Sequence, residues 1–170
     1  MAEAHSAILV PVPAAEAAVG PWRRLHDPMA TAGVPAHITL IVPWLAPEHI
    51  DDAELARLDG VAARTAPFEF ALRSVAWFGC RVLWLAPDPV QPFLDMTSAL
   101  VREFHLPPWA GEFDEVIPHL TVAHSTEGAE LAEVAAAVGP DLPITCCATE
   151  VRVMIGDGTR WWERATVPLG

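Results

Sequence analysis

The sequence predicts an α+β domain of two similar lobes sharing one core. Three observations carry this prediction. The element order strand–helix–strand–helix–strand–strand occurs twice along the 170 residues. A His-x-Thr tetrad occupies the same place in each run, His37-Ile38-Thr39-Leu40 and His119-Leu120-Thr121-Val122, with the histidines 82 positions apart. Hydrophobic residues make up 52% of the chain, enough to build a substantial core and too many for disorder.

The elements follow from period and punctuation. Ile8 to Val12 reads as a short strand, and a helix is expected from about Ala14 to Ala32, stopped by Gly33 and Pro35. Ala36 to Val42 alternates and is β-branched, hence a strand. Pro47 to Thr65 reads as a helix with its acids early, where the helix dipole favours them. Phe68 to Phe78 and Arg81 to Ala86 form a hairpin about Gly79-Cys80. Asp88 to Phe104 is the next helix, with Pro89 near its first turn. A Pro/Gly-rich loop, Leu106 to Asp114, leads to a strand from Val116 to His124. Glu127 to Val138 is an Ala-rich helix ended by Gly139-Pro140. Ile144 to Ile155 reads as one long strand, turning at Gly156-Asp157-Gly158 into a closing strand, Arg160 to Pro168. This is a weak internal duplication, with halves of about 5–80 and 81–168 inside a single domain, 1–170. No linker is long or polar enough to separate independent domains.

Composition narrows the function. The formal charge is −12, and all ten basic residues are arginine. An acidic surface repels a polyphosphate backbone, which argues against broad nucleic-acid binding but leaves room for a small phosphate ester or an RNA end. No apolar run reaches the roughly 18 residues of a membrane span. The N-terminal stretch does not read as a signal peptide, because no Lys or Arg precedes Ala7 to Val12 and prolines break it. A cytoplasmic monomer is expected, without membrane association. The three cysteines, Cys80, Cys146 and Cys147, form no disulfide framework.

The tetrads carry the chemistry. Alternate side chains of a strand share a face, so His37 joins Thr39 and His119 joins Thr121, against the apolar Ile38, Leu40, Leu120 and Val122. Burying such a polar stripe without partners would cost roughly 1–3 kcal/mol per group. A lone histidine in this setting is usually a satisfied, half-buried residue. Two matched stripes in equivalent strands point instead to two walls of one cleft. Histidine titrates near neutrality, so one ring can act as base and the other as acid. Threonine hydroxyls can donate to phosphate oxygens. Neither a metal nor another cofactor is expected: no carboxylate cluster suits Mg²⁺, and His119 with His124 and Asp114 or Glu115 makes a poor zinc set. Ser125 lacks the glycines of a nucleophile turn. Trp44, at the end of its strand, is a candidate for stacking on a base, as are Phe78, Trp161 and Trp162, although aromatics in so apolar a chain mostly fill the core. Arg81 and Arg160 lie near strand ends, where solvated or paired arginines are the commoner case.

The segments Gly33-Val34-Pro35-Ala36-His37-Ile38-Thr39-Leu40 and Val116-Ile117-Pro118-His119-Leu120-Thr121-Val122-Ala123 resemble the two signatures of the two-histidine (2H) phosphoesterase superfamily. Within it the chain is similar to bacterial 2′-5′ RNA ligases and RNA 2′,3′-cyclic phosphodiesterases over nearly its whole length. The resemblance implies a bilobed fold of two antiparallel sheets flanked by helices, with the motifs facing across a central cleft. It implies that His37 and His119 are the acid–base pair and that Thr39 and Thr121 bind phosphate; it leaves open which histidine is the base. The activity implied is metal-independent hydrolysis of a nucleoside or RNA 2′,3′-cyclic phosphate to a 2′-phosphate, with reversible 2′-5′ RNA joining as a companion activity. A phosphonucleotide-binding module with little turnover is the alternative. Many relatives carry arginine where this chain has His124. Its odd spacing from His119 would put His124 on the opposite strand face, clear of the phosphate.

Overall fold

A computed structural model describes residues 5–125 and 127–170. Eight strands form two four-stranded antiparallel sheets. The first sheet has the order β2–β1–β7–β8, from His37–Ile41, His5–Pro11, Glu150–Gly156 and Trp161–Pro168. The second has the order β5–β4–β3–β6, from Leu120–His124, Val82–Asp88, Phe68–Phe78 and Ile144–Ala148. Among the described residues five α-helices accompany the sheets: α1 Glu16–His26, α2 Pro28–Thr31, α3 Asp52–Ala62, α4 Gln91–Phe104 and α5 Gly128–Val138. The main cluster of buried residues joins both sheets to α1, α3, α4 and α5, and a smaller one gathers Leu9, Val34 and Met154. None of the described helices is long and apolar enough to cross a membrane.

The α+β, two-sheet architecture is the one expected, but the sheets do not follow the two halves of the sequence. The hairpin β3–β4 carries the end of the first half into the second sheet, and β7–β8 carries the end of the chain back to β1. The expected long strand from Ile144 to Ile155 is two strands: β6 pairs with β3, and after Thr149 the chain crosses to pair with β1 as β7. Each lobe is thus completed by residues from the other half, which makes one inseparable core.

The helix expected over 14–32 is likewise broken. Pro28 has no N–H to continue α1, and the residue before a proline is pushed out of helical geometry. Asp27 accordingly takes φ −119° and ψ 108°, and its carboxylate accepts the Met29 N–H (3.0 Å) as the cap of α2. Gly33 then reverses the chain at φ +108°, so close to the Trp161 carbonyl that a side chain would collide with it. The Trp161 N–H donates to the Ala32 carbonyl at 2.7 Å, fixing this turn to the start of β8.

Helices and motif strands are cross-packed. α1, which follows β1 of the first sheet, lies on β5 of the second; α4, which follows β4, lies on β2. The two motif strands, β2 and β5, also touch one another.

Candidate active site

Each motif strand contains a bulge at the same place. On β2, Thr39 pairs with Leu9 and Ile41 with Ile8, leaving Leu40 as the extra residue. On β5, Thr121 pairs with Trp84 and Ala123 with Leu83, leaving Val122 extra. A bulge inserts one unpaired residue and resets the alternation that follows it. Leu40 and Ile41 are therefore buried in succession, as are Val122 and Ala123. The bulged Leu40 offers its carbonyl to the buried Thr97 hydroxyl of α4, at 3.0 Å.

The reset corrects the expectation for His124. Five residues beyond His119, it rejoins the His/Thr face instead of the opposite one. It lines the cleft beside Thr121, and its Nε2 lies 3.9 Å from the Asp27 carboxylate. Val42 is its counterpart five residues beyond His37, and it too lines the cleft.

The cleft consists of two adjoining hollows. The smaller, about 190 Å³, is lined by His37, Thr39, Asp27 and Val42 together with Thr121, His124, Met154 and Trp161. The larger, about 570 Å³, opens beside His119 and shares Thr121 and His124 with the first. The two tetrads are thus brought to one composite cleft, with Thr121 and His124 common to both parts.

The two histidines are held in the same way. The Nδ1–H of His37 donates to the Pro35 carbonyl at 2.7 Å, and that of His119 to the Ile117 carbonyl at 2.6 Å. A carbonyl can only accept, so each bond fixes the proton on Nδ1 and leaves the Nε2 lone pair exposed for chemistry. Neither Nε2, nor the hydroxyl of Thr39 or Thr121, has a hydrogen-bond partner among the described residues. The His119 ring is also wedged edge-on against Phe78 (4.8 Å between ring centres) and Trp84 (5.8 Å).

The segment that presents His37 is braced by α1. Glu16 accepts the Ala36 N–H at 2.6 Å. Arg23, 2% exposed, donates to the Val34 carbonyl at 3.3 Å and twice to one Asp27 oxygen, at 3.0 and 2.8 Å. Asp27 is 3% exposed, so this is a buried ion pair whose second carboxylate oxygen caps α2 and faces His124. Sequence reasoning missed Glu16, Arg23 and Asp27. Only the Asp27-Pro28 step, a cap signature interrupting the expected helix, could have marked one of them.

Burial of its ring pulls the His37 pKa down to about 4; the Pro35 carbonyl opposes the shift, Arg23 adds to it, Asp27 opposes it and His119 adds to it. The His119 pKa is also lowered, again mainly by burial, against the Ile117 hydrogen bond and with a contribution from His124. Both shifts favour the neutral ring. Among the described residues, no group of three or more His, Cys, Asp or Glu is placed to hold a metal ion.

The stacking expectation for Trp44 is corrected. Trp44 is 3% exposed and lies edge-on to Phe104, 5.1 Å away, in the core. Its strand ends inside the fold, because α4 covers that end of β2. Phe78 and Trp161, by contrast, line the cleft. Trp162 is half exposed, and Arg81 and Arg160 do not line either hollow.

The chain shares its fold with a solved structure from Thermus thermophilus, TT0787 (TM-score 0.65, 17% identity, 97% of each chain covered). It also resembles E. coli LigT complexed with NADP⁺ (TM-score 0.59, 19% identity, 99% of each chain) and a structure described as a phosphoesterase (TM-score 0.58, 20% identity, 97% of this chain and 98% of that one). No protein among the curated ones matches the chain. The family model of the 2′-5′ RNA ligase superfamily matches residues 10–160, taking in both tetrads, and the chain therefore belongs to that superfamily, whose members are phosphoesterases and ligases.

Proposed function

We propose that the chain is a metal-independent phosphodiesterase acting on nucleoside or RNA 2′,3′-cyclic phosphates and releasing a 2′-phosphate. The observation that carries this reading is the duplicated histidine geometry: two imidazoles, each with Nδ1–H tied to the carbonyl two residues earlier, each with a free Nε2, each two residues from an unpartnered threonine hydroxyl. Such a pair suits in-line displacement at phosphorus. One neutral imidazole takes a proton from water as the water oxygen bonds to phosphorus. The other, protonated, gives its proton to the 3′ oxygen as the P–O3′ bond breaks. The Thr39 and Thr121 hydroxyls donate to the non-bridging oxygens, and His124, backed by Asp27, adds a third imidazole toward the same anion.

Burial lowers both ring pKa values, and the negative charge of a substrate phosphate raises that of the acid and favours its protonated form. Joining of a 2′-5′ linkage is the same displacement with an RNA 5′-hydroxyl attacking phosphorus in place of water, the P–O3′ bond breaking and O3′ taking the acid's proton. Structures of E. coli LigT complexed with 3′-AMP, ATP and phosphate support a nucleotide phosphate as the ligand here.

The test is hydrolysis of the four nucleoside 2′,3′-cyclic phosphates in EDTA by the wild type, His37→Ala and His119→Ala. Turnover lost by at least about a thousandfold in both variants is expected. Equal rates in all three proteins would overturn the mechanism; binding without turnover in the wild type would favour a phosphonucleotide-binding module.

A further inference from the structure

The larger hollow continues from His119 into a groove with an unusual lining. Phe78, Trp109 and Phe113 line it together with Glu112 and Glu115. Phe113 is 63% exposed, an apolar ring left uncovered at the rim. Trp109 and Ala110 are both held in the left-handed backbone region (φ 49° and 51°), which costs energy in residues other than glycine and clusters where ligands bind. Among the described residues no arginine lines the groove, and its imidazoles are those of His119 and His124.

We infer that this groove takes the nucleoside of a substrate that carries one phosphate only, and that Glu112 and Glu115 exclude substrates bearing a second. The inference rests on the phosphodiesterase reading for the position of the first phosphate. Aromatic walls offer flat faces on which a base stacks without regard to its identity. Carboxylates in the lining accept hydrogen bonds from a nucleoside's amino and hydroxyl groups but repel a further anion, and a chain of net charge −12 reinforces that repulsion. A 5′-phosphate on a nucleoside held between His119 and the Phe113 rim would meet these carboxylates with no arginine to offset them. The favoured ligand is therefore a nucleoside 2′,3′-cyclic phosphate or its monophosphate product, in preference to an RNA end or a 5′-phosphorylated nucleotide, which narrows the substrate class proposed above.

Binding tests this independently of turnover. The dissociation constants of adenosine 2′-phosphate and adenosine 2′,5′-bisphosphate are measured by calorimetry at about 20 mM ionic strength, for the wild type and for Glu112→Gln/Glu115→Gln. The wild type is expected to bind the monophosphate at least about tenfold more tightly. In the double variant, and in the wild type at about 0.5 M salt, the ratio falls to about threefold or less, since screening weakens exposed charges. Phe113→Ser weakens both ligands together, by about tenfold. Equal wild-type affinities, a tighter bisphosphate, a ratio unmoved by the double substitution, or no binding of either ligand at millimolar concentration overturns the inference. The phosphodiesterase reading stands or falls separately, on cyclic phosphate hydrolysis by the wild type and its histidine variants.

Discussion

Replacing His37 with glutamine removes a titration that couples the fold to pH. The ring has a pKa of about 4 in the folded chain, where burial disfavours its charged form, against about 6.5 when unfolded. As pH falls, the unfolded chain therefore takes up its proton first. The contribution of neutral His37 is complete above about pH 6.5 and is lost as pH drops from about 6.5 to about 4. The full difference is about 3 kcal/mol, since each pKa unit corresponds to about 1.4 kcal/mol, and about 2 kcal/mol of it is gone by pH 5. Glutamine cannot titrate, so His37→Gln lacks this slope, although loss of the Pro35 hydrogen bond lowers its stability by a constant amount at every pH. Urea unfolding, followed by tryptophan fluorescence at pH 8 and pH 5, measures both proteins. The wild type should lose about 2 kcal/mol more than the variant between the two pH values. His119 titrates in both proteins and cancels in the comparison. Asp157, whose pKa lies at about 2 because backbone N–H groups of its turn hold the carboxylate, titrates below the window. The same pH dependence in wild type and variant would refute the claim that His37 is kept neutral by burial.

The same shifts locate the activity. With a base that must be neutral and an acid that must be protonated, kcat/KM rises through about pH 4 and falls through the lowered His119 value, so its optimum lies below about pH 6.5; a maximum at pH 8 would contradict the two-histidine scheme. Asp27→Asn leaves Arg23 buried without its counter-charge and should lower the unfolding free energy by about 3–5 kcal/mol; a loss under about 1 kcal/mol would show that the pair is dispensable. Trp44→Phe keeps an edge-on contact with Phe104 and removes an Nε1–H that has no partner, so it should cost less than about 2 kcal/mol and leave KM unchanged. A KM raised by about tenfold would restore Trp44 as a base-stacking residue.

Period-two alternation was enough to place Ile38, Leu120 and their neighbours inward and the His/Thr stripes outward, because side-chain direction in a strand is a local property of the backbone. The same local rule misplaced His124. The alternation is broken by bulges at Leu40 and Val122, and their only trace in the sequence is a pair of consecutive apolar residues after each threonine, Leu40-Ile41 and Val122-Ala123. Asp27-Pro28 marked a helix boundary that any reading of proline would allow, but not that Asp27 would face His124 from the opposite half of the chain. The burial of Trp44, the brace from Arg23 to Val34, and the passage of β3 and β7 into opposite sheets depend on which distant segments pack together. Residue order and periodicity sufficed for the α+β class, the two tetrads and the chemistry they share. Three-dimensional packing was needed to establish that the halves exchange strands, that a third histidine enters the cleft and that an aromatic groove with two glutamates in its lining adjoins it. Those outcomes are set by contacts between residues far apart in the chain, about which local propensity and periodicity carry no information.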